Sequence, residues 1–350
     1  MPDAVGDVRL LGLVAVARDL SRSTEVKPII EVAAEGALAP LNAASVSIGR
    51  QEPGTGTIRT LINTGRLGPD EQRWPDDEVY QIDNYLLLQV WAGMVESFAV
   101  GQLRIMVVSV DDPAADPEEV KLLRSFDKAT SMSTPLIVDG KMWGEVYATR
   151  ESGAAPFDSN DEDFAEAFSA ILSGALSHAL HVESLTRMAY LDALTGLANR
   201  RALDDAARVV FDPVAAPSGR PVTAVAFDVN GLKEVNDTAG HEAGDRLLTQ
   251  VGSLLDAHFA DLPGSLVARV GGDEFTVLVP VHSASAVVAA AERACLAANE
   301  LLDGAGLSCG VATTTECGTE AATRLLAAAD AAQYQAKRAG RIGPVAAAQP

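Results

Sequence analysis

The sequence predicts an α+β protein in which one long helix joins two domains. Its 350 residues are enough for about two domains at roughly 150 residues each. The first half has β-like runs and one strong hairpin signal, whereas the second half has the segment order β-α-β-β-α-β of a ferredoxin-like sheet. Between the halves, apolar residues spaced three and four apart predict a continuous helix.

The composition is that of an acidic globular protein. Apolar residues make up 48% of the chain, and 48 Asp and Glu outnumber 27 Lys and Arg, which gives a formal net charge of −21. This balance argues against duplex nucleic acid as a partner, because such binding needs a basic surface. No apolar stretch is long enough for a membrane helix, and acidic residues stand where a signal peptide would be basic. We therefore expect a cytoplasmic protein with no membrane partner.

The cysteines exclude several prosthetic groups. Cys295, Cys309 and Cys317 are odd in number and form no CxxC pair, so neither a disulfide framework nor a zinc site is predicted. Residues 1–177 contain no Cys and no His. A covalently held bilin, an iron–sulfur cluster or a haem with a His or Cys ligand is therefore not expected in the first domain. The sequence leaves the ligand of that domain unknown.

The first domain is predicted over residues 1–160. Helical patterns occupy residues 8–20 and 28–40, and strands are predicted at 44–49, 57–63, 134–138 and 143–149. Asp139-Gly140 predicts a tight turn between the last two strands, because glycine tolerates the positive φ of such turns. The acidic segment 111–119 is predicted to be a solvated loop.

A linker helix is predicted over residues 161–190. Asp158, Ser159 or Asn160 can cap its start, and the acidic residues 161–163 suit the positive end of a helix. We interpret its heptad spacing as a parallel dimer helix, and the alternative is an amphipathic helix packed on its own domain. The heptad positions are Phe168, Ile171, Ala175, His178, Val182, Leu185 and Ala189.

The second domain is predicted over residues 191–343, followed by a flexible tail at 344–350. The predicted helices are 198–210, 240–259, 285–302 and 320–338, and the predicted strands are 222–228, 266–270, 275–281 and 307–312.

Two carboxylates of this domain are expected to converge. Asp228 ends the first apolar strand, and Asp273 follows Gly271 and Gly272 between the next two strands. If that strand pairs beside the hairpin, the two acids face each other, and two hard oxygen ligands suit Mg²⁺. A Gly-Gly-Asp-Glu connection alone is more often only a turn, so the segment 228–245 decides the interpretation.

This segment, DVNGLKEVNDTAGHEAGD, supplies groups that fit a guanine nucleotide. A loop with Gly231 and Lys233 can offer backbone N–H groups and a cation to phosphates. Amide and carboxylate side chains can read the carbonyl and N–H edges of guanine. The candidates for that role are Asn236, His241 and Asp245.

Two further cations are predicted near the C-terminus. Lys337 and Arg341 are four residues apart. They lie on one helical face if the last helix extends to Arg341.

Five blocks in order make residues 185–343 resemble the GGDEF domain of diguanylate cyclases. They are LDALTGLANRR (191–201), the segment 228–245, GGDEF (271–275), SCGVA (308–312) and AKRAGR (336–341). The first domain resembles a GAF domain, on its strand pattern and on MWGEVYA (142–148). GAF domains serve as small-molecule sensors, as dimerisation modules, or as both.

The resemblance implies the condensation of two GTP into cyclic di-GMP and two pyrophosphates. Each domain would hold one GTP, so the active form would be a homodimer, joined through the linker helix and the GAF domain. It assigns Mg²⁺, with Mn²⁺ as the alternative, to Asp228, the carbonyl of Val229 and Asp273, and catalysis to Asp273 and Glu274. The implied triphosphate contacts are Gly231, Leu232, Lys233, Lys337 and Arg341. The implied guanine contacts are Asn236, His241 and Asp245. The resemblance also implies that Gly271 and Gly272 let the nucleotide approach the turn.

Two departures from the family pattern qualify this expectation. Asn230 stands where many members have Asp. Leu262 and Ser265 occupy the positions of the Arg-x-x-Asp product-inhibition site, so no such site is expected. The alternative functions are a catalytically silent receptor for GTP or cyclic di-GMP and a cyclase that makes cyclic mononucleotides.

Overall fold

A computed structural model describes residues 4–68, 70–96, 104–214, 219–302, 304–341 and 343–347. The chain divides into two compact units, residues 1–184 and 185–350. Each unit combines one six-stranded sheet with helices, which confirms the predicted α+β class. None of the helices in these ranges has the length and apolar character needed to span a bilayer.

The sheet of the first unit is antiparallel throughout, in the order β3-β2-β1-β6-β5-β4. Its strands are β1 (Ser45–Glu52), β2 (Thr57–Gly65), β3 (Val79–Gln81), β4 (Met106–Ser109), β5 (Thr130–Val138) and β6 (Lys141–Arg150). The helices are α1 (Ala4–Leu20), α2 (Val26–Leu38), α3 (Leu86–Glu96), α4 (Pro117–Ser125) and α5 (Ser159–Tyr190), with a 3-10 turn at Ile82–Asn84.

The predicted hairpin is confirmed. Asp139 has φ 51° and Gly140 has φ 73°, and two positive φ values in succession define the primed turn that matches strand twist. The turn joins β5 directly to β6.

The prediction of a solvated loop over 111–119 is wrong at its end. The Asp116 carboxylate accepts the backbone N–H of Glu118 and caps α4, whose first residue is Pro117. An Asp-Pro pair is a strong helix start, because Asp satisfies a free N–H and Pro needs none. As a result Glu119 is carried into the interior, where it is 7% exposed.

The linker helix forms as predicted, but its first half packs on its own unit. Asp158 caps it by accepting the N–H groups of Asn160 and Asp161 at 2.9 and 3.0 Å. Asp161 is not at the surface: it is buried against the Arg150 guanidinium at 3.0 Å. The side chains that pack in the core of the unit are Phe164, Phe168, Leu172, Leu176 and Ala179.

The second half of the helix is more exposed than the first. Leu185 is 61% exposed and Met188 is 67% exposed. The alternative interpretation, an amphipathic helix packed on its own domain, therefore describes residues 164–179 and not residues 185–190.

The sheet of the second unit has the order β12-β11-β8-β10-β9-β7. Its strands are β7 (Ala198–Asn199), β8 (Val222–Val229), β9 (Leu266–Arg269), β10 (Glu274–Pro280), β11 (Leu307–Thr314) and β12 (Gly343–Ala346). The helices are α6 (Arg200–Val210), α7 (Leu232–Ala239), α8 (His241–Phe259), α9 (Ala284–Leu301) and α10 (Thr319–Ala339). The chain order β8-α8-β9-β10-α9-β11 confirms the predicted ferredoxin-like core.

Two local expectations are corrected in this unit. Residues 232–239, taken as part of a loop, form α7. Residues 344–346, taken as flexible tail, belong to β12, which pairs in parallel with β11. The backbone of that segment is thereby satisfied at a sheet edge instead of by water.

Candidate active site

Asp228 occupies a nearly buried position between two strands. It lies opposite Glu274 of β10 on one side and Ser308 of β11 on the other, and it is 7% exposed. The backbone N–H of the next residue, Val229, donates to the carbonyl oxygen of Asp273 at 3.0 Å. The end of β8 and the acid after the two glycines therefore lie side by side.

The electrostatics of Asp228 show that the second acid is close. Burial raises the pKa of Asp228; a hydrogen bond from Lys337 opposes the rise, and the charge of Asp273 adds to it. The Lys337 ammonium donates to Asp228 Oδ1 at 2.6 Å. The charge of Asp273 therefore disfavours ionisation of the buried Asp228, and a divalent cation close to both acids would offset this effect.

The donor set fits Mg²⁺. Within the described ranges, no three His, Cys, Asp or Glu side chains are placed to hold one metal ion. A cation here would have two carboxylates and would complete its coordination with main-chain, water or phosphate oxygens. Mg²⁺ is held in this way at phosphate sites, usually by one or two carboxylates.

The two glycines of the turn have different surroundings. A Cβ on Gly271 would lie 2.5 Å from Glu274 Oε2, so this glycine makes room for the Glu274 carboxylate. Around a Cβ on Gly272 the described chain has no atom within 4 Å. Gly272 faces open space at the front of the turn, where a nucleotide is expected to approach.

Sequence reasoning missed an arginine that braces this turn. Arg269 donates to the carbonyl oxygen of Gly272 at 2.8 Å and to Asp192 Oδ1 at 3.0 Å. Asp192 also accepts the N–H and the hydroxyl of Thr195. Burial acts to raise the pKa of Asp192, but the hydrogen bonds from Thr195 and Arg269 outweigh it and leave the pKa lowered. The sequence did contain a signal for this contact, because Asp192 and Thr195 belong to the block LDALTGLANRR (191–201).

The segment after Asp228 is locked to the loop before β11. The Asn230 amide donates to the carbonyl oxygen of Ala305 at 2.9 Å and accepts the Ser308 hydroxyl at 2.9 Å. An aspartate at this position could not donate the first of these bonds.

Gly231 then turns the chain into α7 with φ 74°. Helix α7 begins at Leu232, and Lys233 is exposed in its first turn. The free N–H groups of that turn and the lysine are the features that favour an anion.

The predicted guanine contacts lie on α7 and α8. Asn236 packs its side-chain oxygen against Gly244, where any Cβ would overlap it. His241 and Asp245 are both exposed in the first turns of α8. Because they are four residues apart, they share one face of that helix.

The two C-terminal cations are separated by a helix end. Helix α10 ends at Ala339, and Gly340 follows in the left-handed conformation with φ 58°, a common helix stop. Lys337 points to Asp228, whereas Arg341 lies beyond the helix and is exposed. The condition that both cations share one helical face is not met.

Comparisons with known proteins identify both units. The family model "Diguanylate cyclase, GGDEF domain" matches residues 189–342, and the model "GAF domain" matches residues 41–176. An uncharacterised protein in the hutH 5′ region of Streptomyces griseus is 42% identical over 217 residues, which cover 61% of this chain and 88% of that protein.

Named relatives match one part of the chain. Diguanylate cyclase DgcP of Pseudomonas aeruginosa is 36% identical over 166 residues, 46% of this chain and 24% of that protein's length. The coiled coil and GGDEF domain of DgcB from Caulobacter crescentus, solved in complex with c-di-GMP, is 28% identical and covers 54% of this chain and all of that one, with a TM-score of 0.46.

Proposed function

We propose that this chain, which belongs to the GAF and GGDEF proteins of the diguanylate cyclase family, condenses two GTP into cyclic di-GMP and two pyrophosphates. Residues 191–343 are the catalytic domain, and residues 1–160 are the sensor domain that regulates it through residues 161–190. The enzyme is Mg²⁺-dependent and acts as a homodimer.

One observation carries the proposal. Two strand ends bring Asp228 and Asp273 together, with the Val229 N–H on the Asp273 carbonyl at 3.0 Å and the charge of Asp273 acting on the pKa of Asp228. Like charges this close cost free energy, and a divalent cation held by both acids would offset that cost.

The reaction forms a bond between the 3′ oxygen of one GTP and the α-phosphorus of the other, and it breaks the bond from that phosphorus to pyrophosphate. Asp228, the Val229 carbonyl and Asp273 would hold Mg²⁺, which neutralises phosphate charge and makes the attacking hydroxyl more acidic. Asp273 takes the proton of the 3′-hydroxyl, and Glu274 stands beside it. Lys233, Lys337, Arg341 and the first N–H groups of α7 bind the triphosphate.

Positioning supplies most of the acceleration. Asn236, His241 and Asp245 hold the guanine, so the ribose of each GTP has one orientation. One domain binds one GTP, and each 3′-hydroxyl attacks the nucleotide of the other domain. Two copies of the chain must therefore meet for one turnover.

The test is incubation of the purified chain with GTP and Mg²⁺, with detection of cyclic di-GMP and pyrophosphate. We expect Asp228→Asn and Asp273→Asn each to lower turnover by about a hundredfold or more. Asp256→Asn is the matched control, because Asp256 is an exposed acid of α8 away from the turn. GTP binding without turnover, at protein concentrations where the chain is dimeric, would show a receptor instead.

A further inference from the structure

The first unit has a cavity on the face of its sheet opposite the hydrophobic core. Because side chains alternate between the two faces of a strand, the sequence alone would place this face in solvent. On β1 and β6, Val46, Ile48, Val146 and Ala148 point into the hydrophobic core. The residues between them line a cavity of about 60 Å³ on the opposite face, which Leu88 and the end of α4 cover. Since one water needs roughly 10–15 Å³ of such space, the cavity has room for several waters or one small molecule.

Acidic side chains dominate this cavity. Its lining includes Glu71, Glu78, Glu119 and Glu145 and one cation, Lys128. The Lys128 ammonium donates to the carbonyl oxygen of Arg66 at 2.8 Å and lies 3.8 Å from Glu151, which is not among the lining residues. The lysine is thus already engaged, and the acids keep an excess of negative charge.

All four acids accept hydrogen bonds within the unit. Glu119 accepts the hydroxyls of Ser131 at 2.7 Å and Tyr147 at 2.6 Å. Glu78 accepts bonds at 2.8 Å from both Thr60 and Asn63, and one at 3.1 Å from Tyr80. Glu71 accepts the N–H of Gly68.

The fourth acid, Glu145, accepts a hydrogen bond from the Ser133 side chain, but only one of its two carboxyl oxygens is satisfied. Glu145 Oε2 is buried and receives no hydrogen bond from any residue the structure describes. Burial, reinforced by the charge of Glu119, raises the pKa of Glu145 to about 8. A buried carboxylate oxygen without a donor is costly. A cationic donor that enters the cavity would satisfy this oxygen and favour the ionised form of Glu145, which burial otherwise disfavours.

The geometry restricts the kind of cation. Within the described ranges, no three acidic, His or Cys side chains are placed to hold one metal ion, whereas a cavity of about 60 Å³ has room for a cation whose charge is spread over several atoms. The cavity also has aromatic walls: the rings of Tyr80 and Tyr85 meet edge to face with centroids 6.0 Å apart. Aromatic faces attract organic cations.

We propose that this cavity binds a small organic cation with N–H donors, an ammonium or guanidinium compound, which pairs with Glu145. This inference goes beyond the cyclase activity and does not depend on it. It gives the first unit a ligand of defined chemistry, with Glu119 as the second acid of the site.

The experiment uses the full chain and two probes of similar shape, methylguanidinium and neutral N-methylurea, in isothermal titration calorimetry at constant ionic strength. We expect saturable binding of methylguanidinium that is at least about tenfold tighter than that of N-methylurea. Mass spectrometry of the native sample first tests for a retained small molecule, which must be cationic.

Two variants and a control locate the site. Glu145→Gln keeps the size of the side chain but removes its charge, and Ser47→Leu fills the cavity without changing any charge; each should weaken methylguanidinium binding at least about tenfold. Glu118→Gln should bind normally, because Glu118 is exposed on the outside of α4 and pairs with Lys121 at 3.2 Å. Equal affinity for the two probes, no binding of either, a retained anion, or full binding by Glu145→Gln would overturn the proposal.

Discussion

Single side chains hold the turn at residues 271–274 in place, and Arg269 is the clearest case. Its guanidinium connects the Gly272 carbonyl to Asp192, so one residue fixes the turn to the segment that enters the domain. Lysine keeps the charge but cannot make both contacts with one fork of donors.

We therefore expect Arg269→Lys to lower the kcat of the proposed reaction by about tenfold to a hundredfold, because a small displacement of reacting groups is costly. The KM for GTP should change little, since the guanine contacts are on other elements. Steady-state kinetics separates the two constants. Arg293→Lys, an exposed change on α9, is the control. A rise in KM with an unchanged kcat would assign Arg269 to substrate binding instead.

The buried carboxyl of Glu145, with its Oε2 unpaired among the described residues, makes the stability of the first unit depend on pH. Its pKa is about 8 in the folded chain, from an ordinary value of 4.5. Below pH 4.5 Glu145 is protonated in both the folded and the unfolded chain, so its ionisation does not affect stability. Between pH 4.5 and about pH 8 only the unfolded chain releases this proton, and the free energy of unfolding therefore falls as the pH rises. The groups that face it include Glu119, Tyr147 and Lys128.

Glu145→Gln removes this dependence. Without a bound cation, the variant should be more stable than the natural chain by roughly 2–4 kcal/mol at pH 8 and by much less at pH 5. Trp74, Trp91 and Trp143 are the three tryptophans of the chain, and all lie in the first unit, so their fluorescence during urea unfolding reports on it alone. A constant difference across this pH range would contradict the assignment.

At the scale of elements, close packing of α10 on β11 depends on one glycine of the SCGVA block. A Cβ on Gly310 would overlap the backbone nitrogen of Gln333 and the backbone oxygen of Ala329. Neither is the end of a flexible side chain, so the helix itself would have to move.

We expect Gly310→Ala to destabilise the second unit by about 3 kcal/mol, because overpacking of this kind forces backbone shifts. Hydrogen exchange of the amides of α10 and β11 should speed up, and turnover should fall with it, since α10 carries Lys337. Gly272→Ala, where a Cβ meets open space, is the control for exchange. Unchanged protection in Gly310→Ala would mean that the helix accommodates the methyl group.

The elements also show what sequence can and cannot predict. Strand-like runs of residues located β1 and β6, and Asp139-Gly140 located the hairpin between β5 and β6, because these signals are local. Alternation could not show that the polar face of the same strands is covered, since the cover comes from α4 and the segment before α3. The buried role of Glu119 was missed for this reason.

The same contrast between local signals and long-range contacts applies to the candidate site. The proximity of Asp228 and Asp273 was predictable because each acid sits at a motif position in a short segment, whereas the role of Asn236 at the guanine stays a prediction. Arg269 was missed because its partner Asp192 is 77 residues away in the chain, and only the sheet brings the two together. The separation of Lys337 from Arg341 was signalled locally by Gly340, which is a strong C-terminal stop.

For the whole molecule, the proposed reaction raises the question of how two copies of the second unit meet. Helix α5 is continuous from Ser159 to Tyr190. The first half of α5 packs in the hydrophobic core of the first unit. A disruption at Ile171, which packs on that core, would damage the fold and would not test dimerisation.

The exposed second half offers a cleaner test. Leu185 and Met188 are 61% and 67% exposed and three residues apart, so they lie on one face of α5 and have the spacing of a coiled-coil contact. We expect Leu185→Glu with Met188→Glu to shift the proposed homodimer to monomer in sedimentation experiments. Turnover per chain should then fall steeply at low protein concentration and recover as the concentration rises, because the proposed reaction needs two chains. Leu296→Glu removes an equally exposed leucine, 63% exposed on α9, and should leave both measurements unchanged. Turnover that is independent of concentration in the double variant would mean that the two catalytic domains meet through another surface.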